Sequence, residues 1–242
     1  MIDHEKSTIR DNFLKLQENV SCIAAKHGRK SSDIKTVLVT KYQPAVKINA
    51  AIQCGAMDLA ENYPEMLIPK LSEIDQNESV KWHMIGHIQS RKANMVVDHF
   101  QYVHSIDSVK IANRLNMRAA EKGCILPILI EINIGKENSK NGYPLSNDAD
   151  FKAILGNLDT IFKCDHLKIQ GLMTMPPYSE KAENSRVYFQ ELRKLLQKIN
   201  QEMPLLQLSE LSMGTSQDYK VAIEEGATII RIGTLVFGDR QW

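Results

Sequence analysis

The residues of this chain that could do chemistry gather where short apolar runs stop. Five residues, Thr36 to Thr40, read as a buried strand, and the next residue is Lys41. A lysine there admits two readings. It is a charge emerging into solvent, or an amine held in a pocket with a lowered pKa, ready to form a Schiff base with a carbonyl. Near the C-terminus, two runs end on small residues and hydroxyls: Ser212-Met213-Gly214-Thr215-Ser216 and Arg231-Ile232-Gly233-Thr234. Glycine lets backbone N–H groups approach an anion closely. Each stretch alone could be an ordinary tight turn. Together, at adjacent strand ends opposite a strand-end lysine, they favour a phosphate cup. Arg231 reads as part of that site or as a rim ion pair with Glu210.

The histidines within strands, His83 and His104, read first as satisfied core or rim residues. His83 carries more weight, because its strand should lie beside the site. His87, His99 and His166 show no usable pattern. The Met173/Met175 pair reads as packing. Lys168 and the lysines of residues 181–201 read as solvated surface.

These residues need a scaffold, and the hydrophobic pattern supplies one. After an opening amphipathic helix over residues 3–27, apolar runs at 36–40, 57–60, 82–85, 102–106, 127–134, 167–173, 207–212 and 228–233 read as strands. Helical stretches are expected at 44–53, 64–75, 90–98, 107–122, 147–158, 181–201 and 216–225. Pro44 suits a first turn, Asp107 an N-cap and Gly123 a helix stop. Eight strands alternating with helices in 242 residues favour a single closed (β/α)8 barrel over residues 1–242. No GxGxxG follows the first strand, which argues against a dinucleotide-binding sheet. Barrel sites form at the C-terminal strand ends, with phosphate commonly held after strands seven and eight.

Bulk composition narrows the function further. With 30 basic and 29 acidic residues, the net charge of +1 gives no field suited to nucleic acid or an anionic membrane. The 4 cysteines are widely spaced with no CxxC pair, so neither a zinc site nor a disulfide framework is expected. The N-terminus is charged and shows no signal-peptide pattern, and no run reaches the length of a membrane span. A cytoplasmic protein is expected.

The combination of stretches resembles a known family. Val39-Thr40-Lys41-Tyr42-Gln43-Pro44, Glu61-Asn62-Tyr63 and Trp82-His83-Met84-Ile85-Gly86-His87-Ile88-Gln89-Ser90 occur in order. Ile132-Asn133-Ile134, Glu137-Asn138-Ser139-Lys140-Asn141-Gly142, Gly171-Leu172-Met173, Leu211-Ser212-Met213-Gly214, Arg231-Ile232-Gly233-Thr234 and Phe237-Gly238 follow. They resemble the pyridoxal phosphate homeostasis proteins, the YggS/PROSC family. The resemblance implies a TIM barrel like the N-terminal domain of alanine racemase. It implies pyridoxal 5'-phosphate held as a Schiff base on Lys41. It implies the phosphate near Ser212, Gly233 and Thr234, Gly214 among the cofactor-binding residues, and Arg231 facing the pyridine nitrogen. Asn62 and His83 match positions near the cofactor. Two departures stand out: Thr215 where many relatives have methionine, and Arg91 where many have asparagine. Neither is expected to touch the lysine or the phosphate glycines.

Three functions follow for comparison. The first is a carrier acting in vitamin B6 homeostasis, storing the cofactor or delivering it to apo-forms of pyridoxal phosphate enzymes, with effects on amino-acid and keto-acid balance. The second is a low-activity amino-acid racemase. The third is a barrel enzyme for a phosphorylated metabolite, which would need no Schiff-base lysine. The chain stops eight residues after Thr234. The β-domain that supplies the second racemase base is therefore expected to be missing, and a monomer is expected.

Overall fold

A computed structural model describes residues 2–75, 77–135, 137 and 140–238, with residues 2–5 described by backbone alone. Lys136, Asn138 and Ser139 of the polar loop lie outside these residues. The strands are β1 (Lys35–Val39), β2 (Asp58–Glu61), β3 (Lys81–Met84), β4 (Tyr102–Ile106), β5 (Leu126–Asn133), β7 (Leu167–Met173), β8 (Glu210–Thr215) and β9 (Ile229–Ile232), plus a two-residue β6 (Tyr143–Pro144). All pairings are parallel. β9 pairs back onto β1 with Val37 beside Arg231, and β4 pairs with β5, so eight strands close a barrel. β6 lies outside the ring, against the end of β5.

The strand residues alternate between two cores, as a closed barrel requires. Val37, Ala60, Tyr102, Leu129, Met173 and Ile229 form a small cluster inside the barrel. Their neighbours Leu38, Leu59, Val103, Ile130, Leu172 and Ile230 belong to the larger cluster between strands and helices. The opening helix α1 (Ile2–Lys26) buries Ile9, Phe13, Leu16, Val20 and Ala24 in that outer core. Asn12 ties it to the chain's other end by donating to the Val236 carbonyl at 3.2 Å.

Several boundaries differ from the pattern's expectation, each for a local reason. The helix after β2 is α3 (Pro64–Leu67), continued only by a 3-10 turn at Ile68–Lys70. Pro69 lacks the N–H and crowds the preceding turn, so the helix cannot run on to 75. The helix α5 (Val109–Lys122) is capped by Ser108, whose Oγ accepts from the Ile111 N–H. Asp107 pairs with His87 instead, at 2.6 Å. The seventh barrel strand starts three residues later than the apolar run. Asn200 takes both the N–H and the C=O of Leu208, each at 2.8 Å, and Gln207 sits at φ 49, so that stretch is withheld from the sheet.

Candidate functional site

The chain on both sides of Lys41 is fixed. Thr40 is fully buried, and its hydroxyl donates to the Ala60 carbonyl at 3.1 Å and to Glu61 Oε1 at 3.0 Å. Glu61 turns away from the barrel mouth and pairs with Lys70 at 3.0 Å. The Gln43 N–H closes a turn onto the Thr40 carbonyl at 2.9 Å, with Tyr42 in the left-handed region at φ 63. Asn62 follows β2 and is packed by Gly86, where a Cβ would lie 2.2 Å from the Asn62 carbonyl oxygen.

The last two barrel strands bring the C-terminal motifs to the same mouth. Between them, Ser212 pairs with Ile229 and Thr215 with Arg231, so three steps on β8 match two on β9. This is a β-bulge, and Gly214 at φ 89 supplies its left-handed residue. A Cβ at Gly214 would stand 2.5 Å from the Ala222 side chain. The bulge re-aims Thr215 toward the mouth, where Asp218 accepts from its N–H at 2.7 Å and its hydroxyl at 3.0 Å. Beside it, Ser216 Oγ accepts from the N–H groups of Gly233 (3.1 Å) and Leu235 (3.4 Å).

A cavity of about 500 Å³ opens at this mouth. Lys41, Asn62, Arg231, Gly233 and Thr234 line it, joined by Thr215, Ser216, Met175 and Tyr178. Gly214 and the fully buried His83 and Ser212 are not in its wall. Ser212 falls in mid-strand because β8 is shifted, and the strand ends on Thr215 rather than Ser212. One further reading is corrected. Met175 does not pack inside like Met173: it is exposed at the mouth, and its Sδ accepts from Arg231 at 2.9 Å. Thr215 shares the cavity wall with Lys41 and Gly233.

Arg231 forms the floor. It is buried, its Nη1 donates to Ser212 Oγ at 2.6 Å, and its Nη2 donates to the Thr174 carbonyl at 2.8 Å. Glu210 does not pair with it: that carboxylate accepts from the Thr228 hydroxyl. Burial pushes the Arg231 guanidinium down to about 10, against the pull of Asp218 and Glu131, so it stays charged at neutral pH. On β5, burial and then the charge of Asp107 push the Glu131 carboxyl up to about 7, while Arg231 and His87 act the other way. Beneath Ser212 lie His104 and His83, both fully buried and both pushed down in pKa by that burial.

Comparison with known proteins fits this geometry. The family described as alanine racemase, N-terminal domain, matches residues 12–241. A pyridoxal phosphate homeostasis protein of Pasteurella multocida (strain Pm70) is 33% identical over 236 residues, covering 97% of this chain and 99% of that one. One from Synechocystis is 38% identical over 207 residues, covering 86% and 92%. The chain belongs to the pyridoxal phosphate homeostasis proteins. Among solved structures, PipY of Synechococcus elongatus PCC7942 with PLP bound superposes with a TM-score of 0.80 at 31% identity, covering 95% of this chain and 100% of that one.

Seen within this family, the two departures sit differently. Thr215 is in the cavity wall. Arg91 is exposed and donates to its neighbour Gln89 at 3.0 Å. Lys140 acts beside the cavity: its Nζ donates to the carbonyls of Met175 (3.3 Å) and Pro176 (2.9 Å), anchoring the segment after β7. Ser216 and Thr215 stood in a quoted motif but not among the expected ligands. The expected strand at 207–212 left Gly214 outside; the structure places it inside β8, where it marks the bulge that brings them forward.

Proposed function

We propose that this chain binds pyridoxal 5'-phosphate in the barrel-mouth cavity, with Lys41 as its covalent attachment point, and stores or delivers it rather than turning over amino acids. The observation that carries the reading is one cavity that gathers a strand-end lysine, a buried arginine and two hydroxyl-rich turns. When bound, the cofactor supplies an aldehyde and an electron-withdrawing ring. The donor set suits it. Two backbone N–H groups converge on Ser216 Oγ, an oxygen in the cavity wall, and Thr234 adds a hydroxyl. A phosphate oxygen could take up the same donors. Asn62 Oδ1 is buried in this wall with no hydrogen-bond partner, so a ligand donor or an amide flip would relieve it.

Lys41 would condense through its Nζ with the aldehyde, releasing water. The phosphate would be held by Ser216, Gly233 and Thr234. The expectations for Ser212, Gly214 and His83 become indirect in this proposal: they shape or support the site from outside the cavity wall. Arg231 would face the pyridine nitrogen. A guanidinium that stays charged donates a hydrogen bond there and disfavours ring protonation, which keeps the ring a weak electron sink. That favours holding over turnover, as do the names of the homeostasis relatives. The mouth is rimmed by exposed side chains, with Tyr178 81% exposed, so a path for exchange with an apoenzyme stays open.

Borohydride reduction of the loaded protein, followed by peptide mapping, should place the adduct on the peptide containing Lys41. Lys41→Ala should lose the adduct yet keep measurable phosphate-dependent affinity. A main adduct on Lys140 or another lysine refutes the assignment. Transfer of bound cofactor to an apoenzyme faster than release into buffer supports delivery. Racemization of L-alanine at about 1 per second or faster would overturn the carrier reading.

A further inference from the structure

Behind Arg231 a line of polar groups crosses the barrel interior. Arg231 Nη1 meets Ser212 Oγ at 2.6 Å, and Ser212 Oγ meets His104 Nδ1 at 2.9 Å. His104 Nε2 meets His83 Nδ1 at 2.9 Å, and His83 Nε2 meets Asp58 Oδ1 at 2.8 Å. Asp58 is the first residue of β2, with its side chain 23% exposed, so the line runs from the cavity floor to the opposite end of the barrel. Tyr102 stacks on the His83 ring at 5.1 Å and 18°, which fixes the ring plane.

The proton count of this line has one solution. Arginine only donates and an ionised carboxylate only accepts. Four links join the five groups. Arg231 supplies the proton of the first. Ser212 and two neutral histidines hold one each for the other three. His83 must therefore carry its proton on Nε2 and accept at Nδ1. His104 must carry its own on Nε2 and accept at Nδ1 from the Ser212 hydroxyl. Ser212 then shows only lone pairs to Arg231. With its proton on Nδ1, a neutral His104 would bare its Nε2 toward His83, so either that link or the one from His83 to Asp58 would lack a proton, and Ser212 would no longer donate into the line.

We propose that Asp58, His83 and His104 are positioning residues. Through Ser212 they form a one-directional hydrogen-bond relay that holds Arg231 in place against the bound ring. The proposal rests on the cofactor reading above and adds the groups that set it from behind. The charges facing the line are few: Lys35 and Lys81 beside Asp58 and His83, Lys35 and Arg231 toward His104, and Asp218 and Glu131 toward Arg231.

Side-chain nitrogen NMR on the full chain, prepared without cofactor, reads the relay directly. Both histidines should be neutral at pH 7 with the proton on Nε2. A proton on Nδ1 of either, or an imidazolium, overturns the relay. Two variants then test its reach after loading with pyridoxal 5'-phosphate. In His104→Asn an amide oxygen can stand where Nδ1 stood and still accept from Ser212. In His104→Gln the polar end stands where Nε2 stood, and Ser212 loses its acceptor. His104→Gln should shift the pH midpoint of the bound cofactor's absorbance by about half a unit or more, roughly threefold in the protonation equilibrium, and His104→Asn by clearly less. Equal shifts in both, or none in a folded, loaded His104→Gln, overturn the proposal. Should His104→Gln fail to fold, the NMR reading on the unaltered chain still decides. A parent protein that takes up no cofactor refutes the cofactor reading alone, because the tautomers are read without it.

Discussion

Gly171 sets how closely β7 can approach β8, and changing it should reach the site. It pairs with Glu210, and a Cβ there would stand 1.9 Å from the Glu210 carbonyl oxygen and 2.6 Å from its carbonyl carbon. Both atoms are backbone, so no side-chain rotation relieves the clash. In Gly171→Ala the strands must part by about one and a half ångströms, since non-bonded contacts settle near 3.5 Å. About two ladder hydrogen bonds would be lost or stretched, at about 0.5–1.5 kcal/mol each. Overpacking adds about 1–3 kcal/mol. The expected loss is about 2–6 kcal/mol, read as a lower urea midpoint. Gly156 is the internal control: it lies within helix α6 (Asp148–Phe162), and a Cβ there meets nothing within 4 Å. Gly156→Ala should stabilise by about 0.5–1 kcal/mol. Two residues beyond Gly171 the same pairing sets Met173 against Ser212, which supports Arg231. Folded Gly171→Ala should therefore bind pyridoxal 5'-phosphate more weakly, and Gly156→Ala unchanged. A Gly171→Ala protein within about 1 kcal/mol of the parent would refute the close approach on which this rests.

Two further outcomes test the mouth itself. Glu131 holds its proton to about 7 when folded, above the ordinary carboxylate value of 4.5, so its contribution favours the folded state at low pH and is lost as pH rises through about 7. Glu131→Gln should raise stability by about 1–3 kcal/mol at pH 8 and little at pH 4, and urea melts that differ equally at both values would refute it. Thr234→Val removes one hydroxyl from the cavity wall and should weaken pyridoxal 5'-phosphate binding about tenfold, at about 1.5 kcal/mol for a bond to a charged group. It should leave the affinity for unphosphorylated pyridoxal nearly unchanged, and an equal loss for both ligands would show that Thr234 does not serve the phosphate.

The scaffold was legible because each barrel strand carries its own record. Val37 faces inward and Leu38 outward, Leu129 inward and Ile130 outward, and such alternation can be read within a single run of residues. Boundaries were less legible where a distant side chain or a proline intervened. The run at 207–212 is apolar enough for a strand, but Asn200, on the preceding helix, takes the backbone of Leu208. The shift that follows moves Ser212 from the mouth to the layer beneath it and brings Thr215 and Ser216 forward. Pro69 was visible from the start and should have shortened the helix expected over 64–75.

Arg231 shows why the site was half legible. That a charged residue sits two positions before a Gly-Thr turn can be read from one strand. What surrounds it cannot. Ser212 is on β8, Thr174 follows β7, and the next link, His104, comes from β4 across the interior. In a closed barrel, inward side chains of strands that never pair meet in layers. The sequence tells which residues face inward but not which layer they share, since that depends on the stagger between strands. The distinction matters energetically. A guanidinium buried without acceptors would lose its charge or unfold its surroundings. Here a hydroxyl, a carbonyl and a thioether receive its N–H groups, and burial still leaves it charged at neutral pH. The groups that read one by one as a turn serine and a packing methionine, with the Thr174 carbonyl, are therefore, taken together, what allows a positive charge to sit on the floor of this cavity.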